Sequence, residues 1–311
     1  MSFSLKFWSQ LPSKEAPDYS DGIFSKAINE PGGCVVEFWI DCLSNYRKQN
    51  NITTPGLPER FKTLFNATVN TSGYSGIMGR TVLAFQLNWL LYLDPVWTKN
   101  ILAPLFAPKS KHPEVWAGFI TAGNLSPDIF DLLHKDIRGM WQKFPEQLKH
   151  ERRRFIEFYA LGMIYYLDAN SFFHEELPHF FRFADSSDEE ALHSKIHSAL
   201  SHFSPDEKIR IWAEKLKPYL EKRLQNYPKP ISDTGIASCW KWLQDLELIF
   251  DEAVAVLIKF KPQDRIDIGQ LFHYLNEWRE VDQHVLAVAN ILGYGLKYER
   301  WGGVLFSEYF R

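Results

Sequence analysis

Cysteine is scarce in this chain. Its 311 residues hold three, Cys34, Cys42 and Cys239, with no C-x-x-C spacing. An odd, scattered set excludes a disulfide framework and points to a reducing, cytoplasmic setting. There is no basic excess: 35 Lys and Arg stand against 38 Asp and Glu, a net charge of -3. That argues against a general nucleic-acid binder. No apolar run approaches the ~20 residues that span a bilayer, so no membrane partner is expected. The opening MSFSLKFWSQ has no charged region followed by an apolar one, so no secretory leader is expected either. Period-2 alternation, the signature of strands, is absent.

Motifs for chemistry are missing as well. There is no G-x-S-x-G. Gly32-Gly33, Gly73/Gly76/Gly79 and Gly302-Gly303 are not followed by the Lys-Ser/Thr of a phosphate loop. The residues alone assign no catalytic, cofactor-binding or metal-binding position.

What the chain has is aromatic bulk, 15% of residues, including 24 Phe and 11 Trp. Such side chains supply a large core. The organising stretch is Gly79–Gly123. It reads as three helices, Gly79–Leu93, Pro95–Phe106 and Pro113–Ala122, stopped by Asp94-Pro95, Pro108 and Gly123. Connections this short fold neighbouring helices back on one another.

Residues 1–32 read as an irregular arm that starts in mid-architecture, pinned by Trp8, Phe24 and Ile28. Cys34–Tyr46 reads as a helix whose core stripe is Val35, Phe38, Trp39, Cys42 and Leu43. Pro58–Val69 follows, then a Thr71–Gly76 turn. Ser126-Pro127 and Ser204-Pro205 are helix starts, with Ser as cap and Pro first in the helix. Arg152–Leu167 is strongly apolar. Phe172–Phe183 is expected to be interrupted by Pro178, while Pro218 lies inside the helix 205–225 or ends its first part. About fourteen helices with short breaks, and no fixed period, predict an all-α fold: stacked helical hairpins in an irregular α-solenoid. The chain is read as one array over 1–311, softest near 184–188.

Three candidate sites stand beside plainer readings. His174 and His179 are five apart with Pro178 between them, so they do not share a helix face; the plainer reading is a polar helix end. His193 and His197, at i and i+4, do share one and could ligate a metal, against a solvated face. Arg152, Arg153 and Arg154 open a buried helix, where positive charge is mildly unfavourable; they could bind nucleic acid or an acidic partner. Cys34 and Cys42 are expected on an apolar face. Trp301, Phe306, Tyr309 and Phe310 form a candidate aromatic patch near the C-terminus.

Two segments carry a resemblance: AINEPGGCVVEFWIDCLS over 27–44, and QLNWLLYLDPVWTKNILAPLF with EVWAGFITAGNLSPDIFDLL in the centre. They are similar to the helical C-terminal region of bacterial anti-phage defence proteins whose N-terminal part is sirtuin-like. The resemblance covers most of 27–275. It rests on Pro31, Gly32, Glu37, Phe38, Trp39, Asp94, Trp97, Pro104, Leu105, Phe106, Trp116, Gly118 and Phe119, nearly all read as structural. It implies a scaffold or sensor that binds a defence effector or a phage protein. The sirtuin part has no counterpart here, so NAD chemistry would belong to another chain or region. The alternative is a nucleic-acid-binding accessory subunit that uses Arg152–Arg154.

Overall fold

A computed structural model describes residues 3–11 and 22–298. The fold is all-α: helices and short connections make up these residues, and no strand forms among them. Contacts divide the chain into two compact units, Met1–Phe158 and Tyr159–Arg311. The division falls inside helix Arg152–Tyr165; positions 184–188 lie within the second unit.

The first unit is built around helix Tyr74–Phe85. Its buried residues are Gly76 and the unbroken run Met78 to Ala84. It packs against Pro31–Gln49, Pro113–Ala122, Ile23–Ala27 and Glu59–Asn70. At Gly118 a Cβ would lie 2.1 Å from the Thr81 carbonyl oxygen, so only glycine allows this approach. The expected helix Gly79–Leu93 therefore begins earlier, at Tyr74, and divides at Gln86 before Leu87–Leu93. Gly76 is a packing position and not part of a turn.

The N-terminal arm is less irregular than its composition suggests, with helices at Phe3–Trp8 and Ile23–Ala27. Trp8 lies against Trp39 with ring centroids 5.4 Å apart, and Phe24 stacks on Phe85 at 4.6 Å. Ile28 stays exposed. The next helix starts at Pro31, not at Cys34, and runs to Gln49. Its packed face follows its small residues: a Cβ on Gly33 would sit 1.8 Å from the Ala27 carbonyl oxygen. That choice turns the stripe to Val36, Trp39, Ile40, Leu43 and Arg47. Phe38 is left 62% exposed, Cys34 is exposed and Cys42 half-buried. The expected core stripe and apolar cysteine face were misplaced by part of a turn.

Prolines inside helices are handled the same way three times. Thr98–Leu102, Phe172–Glu176 and Trp212–Leu216 are π-turns. In each, the residue just before the proline donates to the carbonyl five positions back: Ala103 to Thr98, Leu177 to Phe172, Lys217 to Trp212. Pro104, Pro178 and Pro218 come next. A helix-interior proline lacks an N–H and crowds the carbonyl four residues back; the wider turn moves that carbonyl aside. Pro178 and Pro218 therefore do not end their helices, which run on to Phe183 and Leu224. The first two copies also share an Asp cap ten residues before the proline. Asp94 accepts from the Trp97 N–H and Asp168 from the Ser171 N–H, each at 2.9 Å.

The second unit packs helix Ser186–Leu200 against Asp233–Trp240. Its core holds Trp212, Tyr219, Trp240 and Trp242, each at most 1% exposed. Lys215 is folded inward. Its ammonium group donates to the carbonyls of Met163, Ile164 and Leu167 at 3.2, 2.6 and 2.6 Å, closing the C-terminal turn of Arg152–Tyr165.

Candidate functional site

The resemblance residues divide by burial. Asp94 is buried, accepts from the Leu57 N–H at 2.9 Å and pairs with Lys62 at 3.1 Å. Burial alone would raise its pKa, but the Leu57 and Trp97 amides and Lys62 outweigh it and hold the carboxyl below its ordinary value. The Trp97 indole donates to Asn66 Oδ1 at 2.8 Å, and the Trp116 indole donates to the Phe106 carbonyl at 3.1 Å. Phe106, Trp116 and Phe119 meet edge to face, and Trp39 is buried. Glu37, Phe38 and Pro104 are exposed. No packing role follows for those three.

The basic run is dispersed. Arg152 lies over the Trp141 ring at 4.4 Å, Arg153 faces Glu157 at 3.6 Å, and Arg154 is exposed. His174 is exposed, whereas Glu176 is buried and accepts from the Tyr159 hydroxyl. The 174–179 segment is thus only partly a polar surface. Trp301, Phe306, Tyr309 and Phe310 lie outside the described residues.

The plainer reading of the second histidine pair fails at His193, which is fully buried, while His197 is half-buried beside Asp245 at 3.3 Å. Among the described residues no group of three or more His, Cys, Asp or Glu is placed to hold a metal. The structure instead joins His193 to residues far away in sequence. His193 Nδ1 donates to the Gly235 carbonyl at 3.1 Å, and Nε2 accepts from the Tyr219 hydroxyl at 2.6 Å. Cys239 Sγ is 3.6 Å from Nδ1. Glu189 accepts from Arg223 and, at 2.9 Å, from the Ser232 N–H. No local sequence signal linked Cys239 to a histidine 46 residues away.

A Cys–His–Glu–Arg cluster resembles a nucleophilic site, but its electrostatics close it. The nitrogen facing the thiol already carries the proton given to Gly235, so it is no base for Cys239. Burial lowers the His193 pKa to about 4 and pushes the Cys239 thiol well above its ordinary range. Both side chains are 0% exposed, which keeps substrate away. The cluster serves as a core hydrogen-bond network.

Among the described residues, one helix of the second unit leaves an apolar face exposed. On helix Val285–Tyr298 the buried side is Ala287, Ile291, Tyr294 and Gly295. The opposite side carries Leu286, 77% exposed, and Leu296, 63% exposed, with exposed Ala289, Asn290 and Gly293 between them. Among the described residues nothing lies within 4 Å of a Cβ built at Gly293. Spacings of three and four place these residues in one stripe. No helix among the described residues is long and apolar enough to cross a membrane. No protein family, curated protein or solved structure matches this chain.

Proposed function

We propose that this chain is a non-catalytic helical interaction module whose Leu286–Leu296 stripe receives a helix from a partner protein. The exposed apolar stripe carries this reading. Its large ends and small middle, Ala289 and Gly293, suit a helix lying across it. An irregular stack of helical hairpins would present such faces along its length. The setting, an anti-phage defence system whose effector lies on another chain, rests on the resemblance over 27–275. The partner is then that effector or a phage protein.

The test is capture by the tagged full chain from its host, before and after phage infection, beside a Leu286→Asp/Leu296→Asp variant. The expected result is a partner held by the parent chain and lost from the variant, with both giving the same circular dichroism and elution volume. An identical captured set from both chains sinks the stripe as the docking face. Recovery of nucleic acid alone, released at moderate salt, favours the Arg152–Arg154 reading instead.

A further inference from the structure

In the first unit, a cavity of about 470 Å³ opens beside the start of helix Tyr74–Phe85. Its wall includes Ser72, Gly73, Arg80, Lys111, His112 and Glu114. Arg80 and Glu114 are the two buried members of this wall. The Arg80 side chain is 4% exposed and its Nε donates to Glu114 Oε1 at 2.6 Å. Its Nη1 donates to the Thr71 and Val69 carbonyls at 2.6 and 3.4 Å. Those bonds use the Nε–H and one terminal nitrogen. The other terminal nitrogen, Nη2, makes no hydrogen bond to the described residues, and it is not sealed off from solvent. A buried arginine that keeps one solvent-accessible donor on a cavity is a group a ligand can reach.

The remaining wall fits an anion. Lys111 is exposed and sits at φ +59°, a left-handed conformation that costs a lysine energy. The Ser72 hydroxyl is a further donor. Gly73 has φ +80° and open space where a Cβ would stand, so a ligand can approach the backbone closely. The start of a twelve-residue helix adds positive potential. Glu114 is the opposing charge, and Arg80 Nε, 2.6 Å from its Oε1, balances it. The formal balance of Arg80, Lys111 and Glu114 is positive.

We infer that this cavity binds a phosphate group, with Arg80 Nη2, Lys111 and Ser72 as its donors. The volume leaves room beyond the phosphate itself, so the natural ligand is a phosphate monoester of sugar size. This site is independent of the Leu286–Leu296 face and stands or falls separately from it.

Titration calorimetry on the full chain tests it, with inorganic phosphate and glucose 6-phosphate as probes and chloride at matched ionic strength as control. Saturable binding is expected, tighter for the monoester. Lys111→Ala and Ser72→Ala change exposed side chains, and each should keep the fold by circular dichroism. Lys111→Ala should weaken binding about tenfold or more, the worth of one charge-assisted hydrogen bond. Equal affinity for both probes keeps the phosphate site but makes free phosphate its ligand. No saturable heat with either probe, or affinity unchanged in both variants, overturns the inference.

Discussion

His193 makes stability depend on pH in a defined window. Its pKa is about 4 in the fold, against the ordinary 6.5. Between those values the unfolded chain binds the extra proton, so stability is full above pH 6.5 and falls as the pH drops toward 4. This residue alone should remove about 2 kcal/mol between pH 7.5 and pH 5. Urea unfolding across that range should show the loss, and His193→Gln should flatten the curve even if its starting stability is lower. Glu189 carries a second consequence. Arg223 is 1% exposed with its Nε and Nη1 unpartnered, so Glu189 is its compensating charge. Glu189→Gln should cost about 3–5 kcal/mol, the usual penalty for leaving a buried charge alone; a denaturation midpoint near the parent's would contradict this. Neither role could be read locally. A histidine at i and i+4 from another looks the same whether its face meets water or core.

At the scale of elements, the three π-turns convert prolines from breaks into ordinary helix positions. Removing a proline from a regular helix interior normally gains about 3 kcal/mol. Here the wide turn has already relieved the clash, so Pro218→Ala should change stability by less than about 1 kcal/mol. A gain near the full amount in urea unfolding would show that strain had remained. The capped starts were legible beforehand. Ser126 and Ser204 each accept from a backbone amide of the first turn, because a hydroxyl side chain reaches it from the cap position. The π-turns were not legible, since a proline inside an apolar run reads equally as a stop or a wide turn. The packed face of Pro31–Gln49 was missed because glycines, which give no hydrophobic signal, set it.

For the whole molecule, the dispersal of Arg152, Arg153 and Arg154 and the net charge of -3 argue against duplex binding. The full chain should leave duplex DNA unshifted at low salt, and an Arg153→Ala/Arg154→Ala variant should keep its protein partner. A salt-sensitive shift that this variant abolishes would reverse the ranking of the two readings. By itself the sequence determined that the chain is helical, where most helices begin, and that aromatic side chains fill the core. These properties live in caps, prolines and three-to-four spacing, and each is a property of a few neighbouring residues. Only the tertiary structure decided which face of a helix is packed, that Cys239 meets a sealed His193, that Arg80 Nη2 stays accessible in a cavity Lys111 also lines, and that Leu286 and Leu296 are exposed among the described residues. Each depends on residues tens of positions apart, brought together by packing that local composition does not encode.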